Sequence, residues 1–387
     1  MTLSKPKFRA TGFFRLERLG PDAWTFVDPD GNAFVSIGLN HGEETNLKYP
    51  HNIDIWRRKY GSREKWMREG FLADIKSWGF NTVGWTQEFI SGDIDEEQDW
   101  FGEPFDIGHS PGWTSAELKA SGMPYVVPIR VAPIEDWNGN PAFPDVFSKD
   151  FDVHCQFLAR SICYDHADSK NLLGYFFVDI ASWVPHQTGR FFPGFEGLKG
   201  DAYDKKLFEV ATKYYETITR HIKAIDPNHL ILGDRYNGNK LIPTPVLEAF
   251  KPYVDVLSIQ YFGGPTEADR KKMIHDLAGW QKIADKPVIN ADMGTWTATK
   301  LNPNRASKLD SQAARGADYV ASIGAQFSQP WFIGWHWCAY VENLARGWGL
   351  KDPWDEPYRD MVDPVTEFNK AAAEEWQTRV ASLYENA

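Results

Sequence analysis

The chain has 387 residues, 42% apolar and 25% charged, long for an ordinary domain but usual for a (β/α)8 barrel with extended loops. Its formal charge of −11 argues against nucleic acid and anionic membranes as partners. No run of about 18 uncharged apolar residues occurs, so no membrane span is expected.

The opening MTLSKPKFRATGFFRLERLG has no apolar leader segment, and a cytoplasmic location is expected. Three cysteines, Cys155, Cys163 and Cys338, form neither a disulfide framework nor a ligand cluster by spacing, which fits a reducing compartment. With no His-x-x-x-His and no cysteine pair, no metal and no cofactor are expected.

In chain order, Gly12–Glu17 and Ala23–Gly31 alternate around turn residues and predict a short hairpin over 12–30 that closes the barrel floor. Ala33–Asn40 is the first barrel strand. Arg63–Trp78 has helical spacing of Trp66, Phe71, Ile75 and Trp78, stopped by Gly79. Phe80–Trp85 and Tyr125–Val131 are strands two and three, separated by a Gly/Pro/Trp-rich rim excursion over about 88–123. A helix over Asp150–His166 leads to strand four, Leu172–Asp179. An amphipathic helix follows, carrying Leu207, Val210, Ala211, Tyr215, Ile218 and Ile222 on one stripe. His229–Gly233, Val254–Tyr261, Pro287–Asp292 and Trp331–Trp337 are strands five to eight, with helices at about 266–284, 308–325 and 364–382. No repeat or linker divides the chain, so the alternation predicts one α/β domain, a single (β/α)8 TIM barrel over 1–387.

Barrel active sites form at the C-terminal ends of the strands. Those ends carry Asn40 and His41, Trp85 and Glu88, Arg130, Asp179 and Trp183, Asp234 and Arg235, Gln260 and Tyr261, Asp292 and Trp296, then His336 and Trp337. Aromatic residues make up 15% of the chain, including 17 tryptophans, more than a core of this size requires. Flat rings cover the apolar face of a pyranose while rim polar groups take its hydroxyls, so an oligosaccharide is the expected ligand.

Several segments resemble the agarase-like glycoside hydrolases, whose clan places catalytic carboxylates on strands four and seven. They are FFRLERLGPDAWTFVDPDGNAFVSIGLNH, WGFNTVGW, FPDVFSKDF, NLLGYFFVD…SW, DPNHLILGDR, VDVLSIQYF, KPVINADMGTW and GWHW…GLKDPWDEPY, in the family's order from Gly12 to Asp360. The resemblance implies an Asp-Asn-Glu ending of strand four, with the Glu as acid/base, and a Gly-Glu-aromatic ending of strand seven. This chain departs at both, reading Asp179-Ile180-Ala181, with the Asn and Glu positions either occupied by Ile180 and Ala181 or lost to a one-residue gap, and Ala291-Asp292-Met293. Tyr261 matches the strand-six tyrosine with which the family holds its nucleophile.

Glycosidic cleavage takes two carboxyl groups. Asp292 reads as a nucleophile or as a base acting through water, with Asp179 as its partner. Asp179 shares strand parity with Ala181 and points inward one layer deeper, where it reads equally as a buried structural carboxylate tied to an arginine or the backbone. Asp234 reads as a salt-bridged cleft residue or a relocated acid, and Glu342 as a solvated loop charge or a group that swings over the cleft. His41 and His336 end adjacent strands and read as sugar hydrogen-bonding groups, with acid/base work or metal ligation alongside a carboxylate as the less favoured alternatives. Trp85, Trp183, Trp296 and Trp337 are candidate sugar contacts, the last three as stacking platforms, and Arg130, Arg235 and Arg346 candidate partners for an anionic sugar substituent. The function expected is exo-acting hydrolysis of galactan- or agar-like oligosaccharides with a non-standard carboxylate pair. The alternatives are glycan binding without hydrolysis and cleavage by elimination.

Overall fold

The structure, a computed structural model, describes residues 8–86, 94–95, 100–101, 112–137, 142–183, 193–343 and 347–385. Eight parallel strands close into a barrel in chain order. They are Ser36–Leu39, Thr82–Val83, Tyr125–Pro128, Leu172–Ala181, Leu230–Asn237, Leu257–Gln260, Val288–Met293 and Phe332–Trp337. Strand four is apolar on both faces from Leu172 to Val178, as a parallel strand must be when side chains fill the barrel on one side and helices cover the other. The eight predicted strands are all present.

The helical layer follows the predicted stripes. Helix Asp201–Ile225 buries Leu207, Val210, Ala211, Tyr214, Tyr215, Ile218 and Ile222, one face of a 3.6-residue period. Helices Glu267–Ala284, Gln312–Phe327 and Arg359–Glu385 occupy the other predicted places. The predicted Arg63–Trp78 helix runs from Arg63 to Ser77 with a π-helical stretch over Met67–Phe71. Gly79 follows it at φ +76°, a conformation that glycine adopts without Cβ strain. Three short helices, Ile53–Lys59, Ser115–Ala120 and Thr244–Phe250, were not evident from periodicity. Within the predicted rim excursion the chain also pairs Ile94–Asp95 with Trp100–Phe101. Glu88, most of that excursion and Arg346 lie outside the described residues. Among the described residues no helix is long and apolar enough to cross a membrane.

The predicted hairpin is part of a three-stranded antiparallel sheet, Arg15–Gly20, Ala23–Val27 and Ala33–Phe34. The expected single strand over Ala33–Asn40 is therefore divided, its first two residues pairing with this sheet and Ser36–Leu39 with the barrel. The small sheet lies at the floor, where the Trp24 amide donates to the Pro330 carbonyl at 3.4 Å, just before strand eight. The last helix is pinned to it by the Trp376 indole N–H, which donates to Thr25 Oγ1 at 3.1 Å.

The tryptophan count has a more structural origin than its size suggests. Trp56, Trp66, Trp85, Trp183, Trp335, Trp337 and Trp376 are among the largest fully buried side chains. Trp376 packs on Phe327 at 5.7 Å between ring centroids. Trp376→Ala deletes that contact and the bond to Thr25 together, and a large-to-small change of this kind costs about 3–5 kcal/mol. Urea denaturation is the measurement, and a loss under about 1 kcal/mol would show that the final helix does not hold the floor.

Candidate active site

Irregular register accompanies both carboxylates, and on strand four a shift falls between Phe176 and Asp179. Between strands four and five, Asp179 pairs with Arg235 and Ala181 with Tyr236, so Ile180 is an extra residue on strand four. Its φ of +41° is rare for a β-branched residue and fits a bulge. Between strands six and seven, Ile259 pairs with Asn290 and Gln260 with Asp292, leaving Ala291 extra. Asn290 bonds Gln326 of helix Gln312–Phe327 at 2.9 Å and so faces outward. Strict alternation would send Asp292 outward too; the extra residue turns it into the barrel mouth.

There the two carboxylates meet one cation. Arg235 Nη2 stands 2.9 Å from Asp292 Oδ2 and 3.6 Å from Asp179 Oδ1, which caps the distance between those two oxygens at about 6.5 Å. The guanidinium lies 4.3 Å over the Trp85 ring, a cation–π seat. Its Nε and Nη1 are buried with no hydrogen-bond acceptor among the described residues. Asn40 donates to Asp292 Oδ1 at 2.7 Å and to the Ala291 carbonyl at 2.9 Å, while its own oxygen accepts from the Trp85 amide at 2.7 Å. Asp179 accepts from Gln260 Nε2 at 2.5 Å and from the Trp137 indole N–H at 2.9 Å. Burial raises the Asp292 pKa above the ordinary carboxylate value; Arg235, His41 and Asn40 oppose the rise and Asp179 adds to it.

His41 stands on the other side of Asp292, its backbone at φ +54° and its amide bonded to the Trp85 carbonyl at 2.8 Å. Glu43 Oε1 is 3.5 Å from its Nδ1. Burial works to lower the His41 pKa, but Cys338 and Glu43 outweigh it and hold the imidazole well above its usual value. Around this corner Phe262 stacks on Trp348 at 5.9 Å and Trp296 meets Trp348 edge-on at 6.0 Å, all packed against Cys338 and Ala339. Trp137 is 48% exposed above Asp179. Trp137, Phe262 and Trp348 escaped sequence reading. The signal for Trp137 was its place in Glu135-Asp136-Trp137, directly after strand three.

The structure gathers Asp292, Asp179, Arg235, Trp85 and His41 into this site and places Trp296 at its aromatic edge. Arg130 is at the rim, paired through Nε and Nη2 with buried Glu135. Trp85 supports Arg235 from below rather than offering a free face. Other expected residues point elsewhere. Tyr261 donates to Asp276 of helix Glu267–Ala284 at 2.7 Å, not to Asp292, because its strand neighbour Gln260 takes the inward position. Asp234 faces the helical layer and accepts from Tyr215, Trp183 and Tyr214 at 2.7, 3.0 and 3.2 Å, so it is no relocated acid, and Trp183 is a core residue packed on Tyr214 and Tyr215. Trp337 is buried against Tyr319 with ring centroids 4.8 Å apart.

Glu342 is neither solvated nor mobile. Fully buried, it accepts from Thr299, Asn302 and Tyr358 and ties three loops together. Nor does Ala181 share the direction of Asp179; it pairs with Tyr236, whose hydroxyl bonds Tyr215 in the helical layer. His336 sits below the mouth, bonded to Ser36 at 2.9 Å. A Cβ on Gly38 would lie 2.2 Å from its ring, so strand one requires glycine there. Burial, reinforced by Arg235, pushes the His336 pKa down to about 3.

Two predictions follow from these placements. Tyr261→Phe removes a hydroxyl that faces a helix, so ligand affinity and any turnover stay within about twofold; a large loss of turnover at unchanged stability would restore the family's role for it. His336 is neutral in the folded chain, whereas the unfolded chain protonates it below about pH 6.5. Its contribution to stability is complete above that value and drains away as the pH falls toward 3. From pH 7 to pH 5 this one group accounts for about 2 kcal/mol of lost stability. Urea denaturation of the wild type and of His336→Gln at both pH values reads the difference, and equal losses in the two proteins would refute the depressed pKa.

No family profile matches the chain. Among curated proteins it is 22% identical to Beta-agarase B of Vibrio sp. (strain JT0107), over 94% of this chain and 49% of that protein. The chain spans about half the length of the curated relatives it matches. Among solved structures, a crystal structure of an agarase superposes with a TM-score of 0.74 at 17% identity, over 97% of this chain and 67% of that one. An exo-beta-agarase superposes at 0.72 and 18%, over 96% and 66%. At these identities the superpositions speak to the fold. The resemblance to agarase-like glycoside hydrolases displayed by the sequence segments thus extends over nearly the whole of this chain, in sequence and in barrel architecture.

Proposed function

We propose that this barrel is a glycoside hydrolase acting on agar-type galactan oligosaccharides, with Asp292 and Asp179 as its carboxylate pair. The observation that carries the reading is their convergence on Arg235, which keeps these two oxygens no more than about 6.5 Å apart, short of the wider spacing of inverting pairs. Little room remains for a water between them, which favours direct attack by Asp292 and retention at the anomeric carbon. Asp292 is one methylene shorter than a glutamate, and the extra residue at Ala291 supplies the backbone displacement that brings it into the mouth. Trp137, Trp296 and Phe262 offer ring faces for the sugar. The likeness to beta-agarases supports the substrate class, and the likeness to an exo-beta-agarase supports exo action.

One observation favours a second reading, glycan binding without cleavage. The family's acid/base position is held by outward-turned Ala181, and Asp179 already receives Gln260, Trp137 and Arg235. Those contacts occupy both of its oxygens, which a leaving group would have to approach.

The two readings separate on a substrate that needs no proton donor. On the hydrolase reading, the wild type releases reducing sugar from agar oligosaccharides, and Asp292→Asn retains binding with no turnover. Asp179→Asn loses on the order of 10²–10⁴-fold on these substrates and much less on aryl galactosides with a good leaving group. Binding without release of even an activated aryl group by the wild type would replace hydrolysis with the second reading. An unsaturated, ultraviolet-absorbing product would show elimination instead.

A further inference from the structure

Beside the Arg235 bridge, on the opposite flank of Asp292, lie two side chains that this chemistry does not use. His41, Asp292 and Cys338 each present one ligand atom, and the three atoms lie within 4.8 Å of one another. They come from the ends of strands one, seven and eight, which close spacing in sequence does not reveal.

We propose that His41, Cys338 and Asp292 form a binding site for a thiophilic divalent cation of the zinc class at the barrel mouth.

The donor set supports that class. Imidazole, thiolate and carboxylate together suit zinc, whereas magnesium and calcium select oxygen ligands. Three protein ligands with the fourth position open is the arrangement of zinc sites that keep a water or a substrate. His41 is part-exposed, at 21%, so the open position faces the cleft. With bond lengths of about 2.0–2.3 Å, a tetrahedral ion holds its ligand atoms roughly 3.3–3.8 Å apart. Closing from 4.8 Å therefore takes side-chain adjustments of about an ångström.

The surroundings are built for such a site. Glu43 Oε1, 3.5 Å from His41 Nδ1, is placed like the carboxylate that orients a metal-bound histidine. The ends of strands seven and eight are locked together, for the Cys338 amide donates to the Met293 carbonyl at 2.8 Å. A Cβ on Gly294 would lie 2.4 Å from the Cys338 carbonyl oxygen. Arg235 is the obvious objection, since it already contacts Asp292. It approaches Oδ2, however, and each carboxylate oxygen has a further lone pair.

Cobalt reports on this site without any turnover, so the outcome is independent of the hydrolase reading. The full chain is stripped with a chelator under reducing conditions and titrated with Co²⁺. Thiolate coordination adds a near-ultraviolet charge-transfer band, and a four-coordinate ion adds strong visible bands. Both are expected at one equivalent and are expected to bleach on adding Zn²⁺. Cys338→Ser should abolish the charge-transfer band, and His41→Gln should weaken binding, with circular dichroism showing that both variants fold. Glu43→Gln should weaken zinc binding roughly 10–100-fold, read by competition with a chromophoric chelator. Cys155 and Cys163, buried in the helical layer, serve as internal controls. Absence of the bands in the wild type, or bands undiminished in Cys338→Ser, would overturn the proposal.

Discussion

The guanidinium of Arg235 is the contact on which the architecture of the barrel mouth depends. It is 1% exposed, rests on the Trp85 ring and meets carboxylates from strands four and seven. At an effective dielectric constant near 20, each contact is worth about 5 kcal/mol of gross Coulomb attraction, against about 2.5 kcal/mol of repulsion between carboxylates roughly 6.5 Å apart. Attraction wins, so two acidic groups that would otherwise diverge are held together. Burial acts in the opposite sense on protonation, and for Asp292 it prevails, leaving the pKa raised despite the adjacent cation. The pair is thus fixed in space but not equalised in environment. Asp292 is enclosed, while Asp179 is 23% exposed beneath Trp137.

That bridge exists only because the sheet is irregular. An uninterrupted two-residue period would turn Asp292 toward the helices with Asn290. The extra residue at Ala291 turns Asp292 toward Arg235, a register shift between Phe176 and Asp179 precedes the pairing of Asp179 with Arg235, and the extra residue at Ile180 sets Ala181 opposite Tyr236. The φ of +41° at Ile180 and +54° at His41 place strained backbone on both flanks of the site, where surrounding hydrogen bonds over-determine it. Asn40 contributes to that over-determination by tying together strands one, two and seven.

The same irregularity explains what the sequence reveals and what it conceals. The eight strands and the major helices were legible because burial on one or two faces leaves a periodic signature. Leu172–Val178 and the stripe from Leu207 to Ile222 are clear instances. Arg235, Asp179, Asp292 and His41 were legible as strand-end residues. Tyr261, Trp183, Asp234 and Trp337 end strands just as plainly, yet they face the helices, since a strand end presents alternate residues to opposite sides. Composition could not separate them, because a buried tryptophan bonded to Asp234 and an exposed one bonded to Asp179 are the same letter. The Cys338 corner was hidden for another reason: its three groups come from strands one, seven and eight, which are neighbours only after the barrel closes.

Arg235 also bears on which chemistry the mouth can support. Its contacts take up Oδ1 of Asp179 and Oδ2 of Asp292, the inward carboxylates of strands four and seven. Among the described residues two guanidinium donors are buried without acceptors, and a buried donor left unsatisfied costs about 1–3 kcal/mol. A ligand oxygen or an ordered water placed against them recovers that cost. The site therefore holds two carboxylates in fixed contact with one cation, and that cation keeps donors for a further partner.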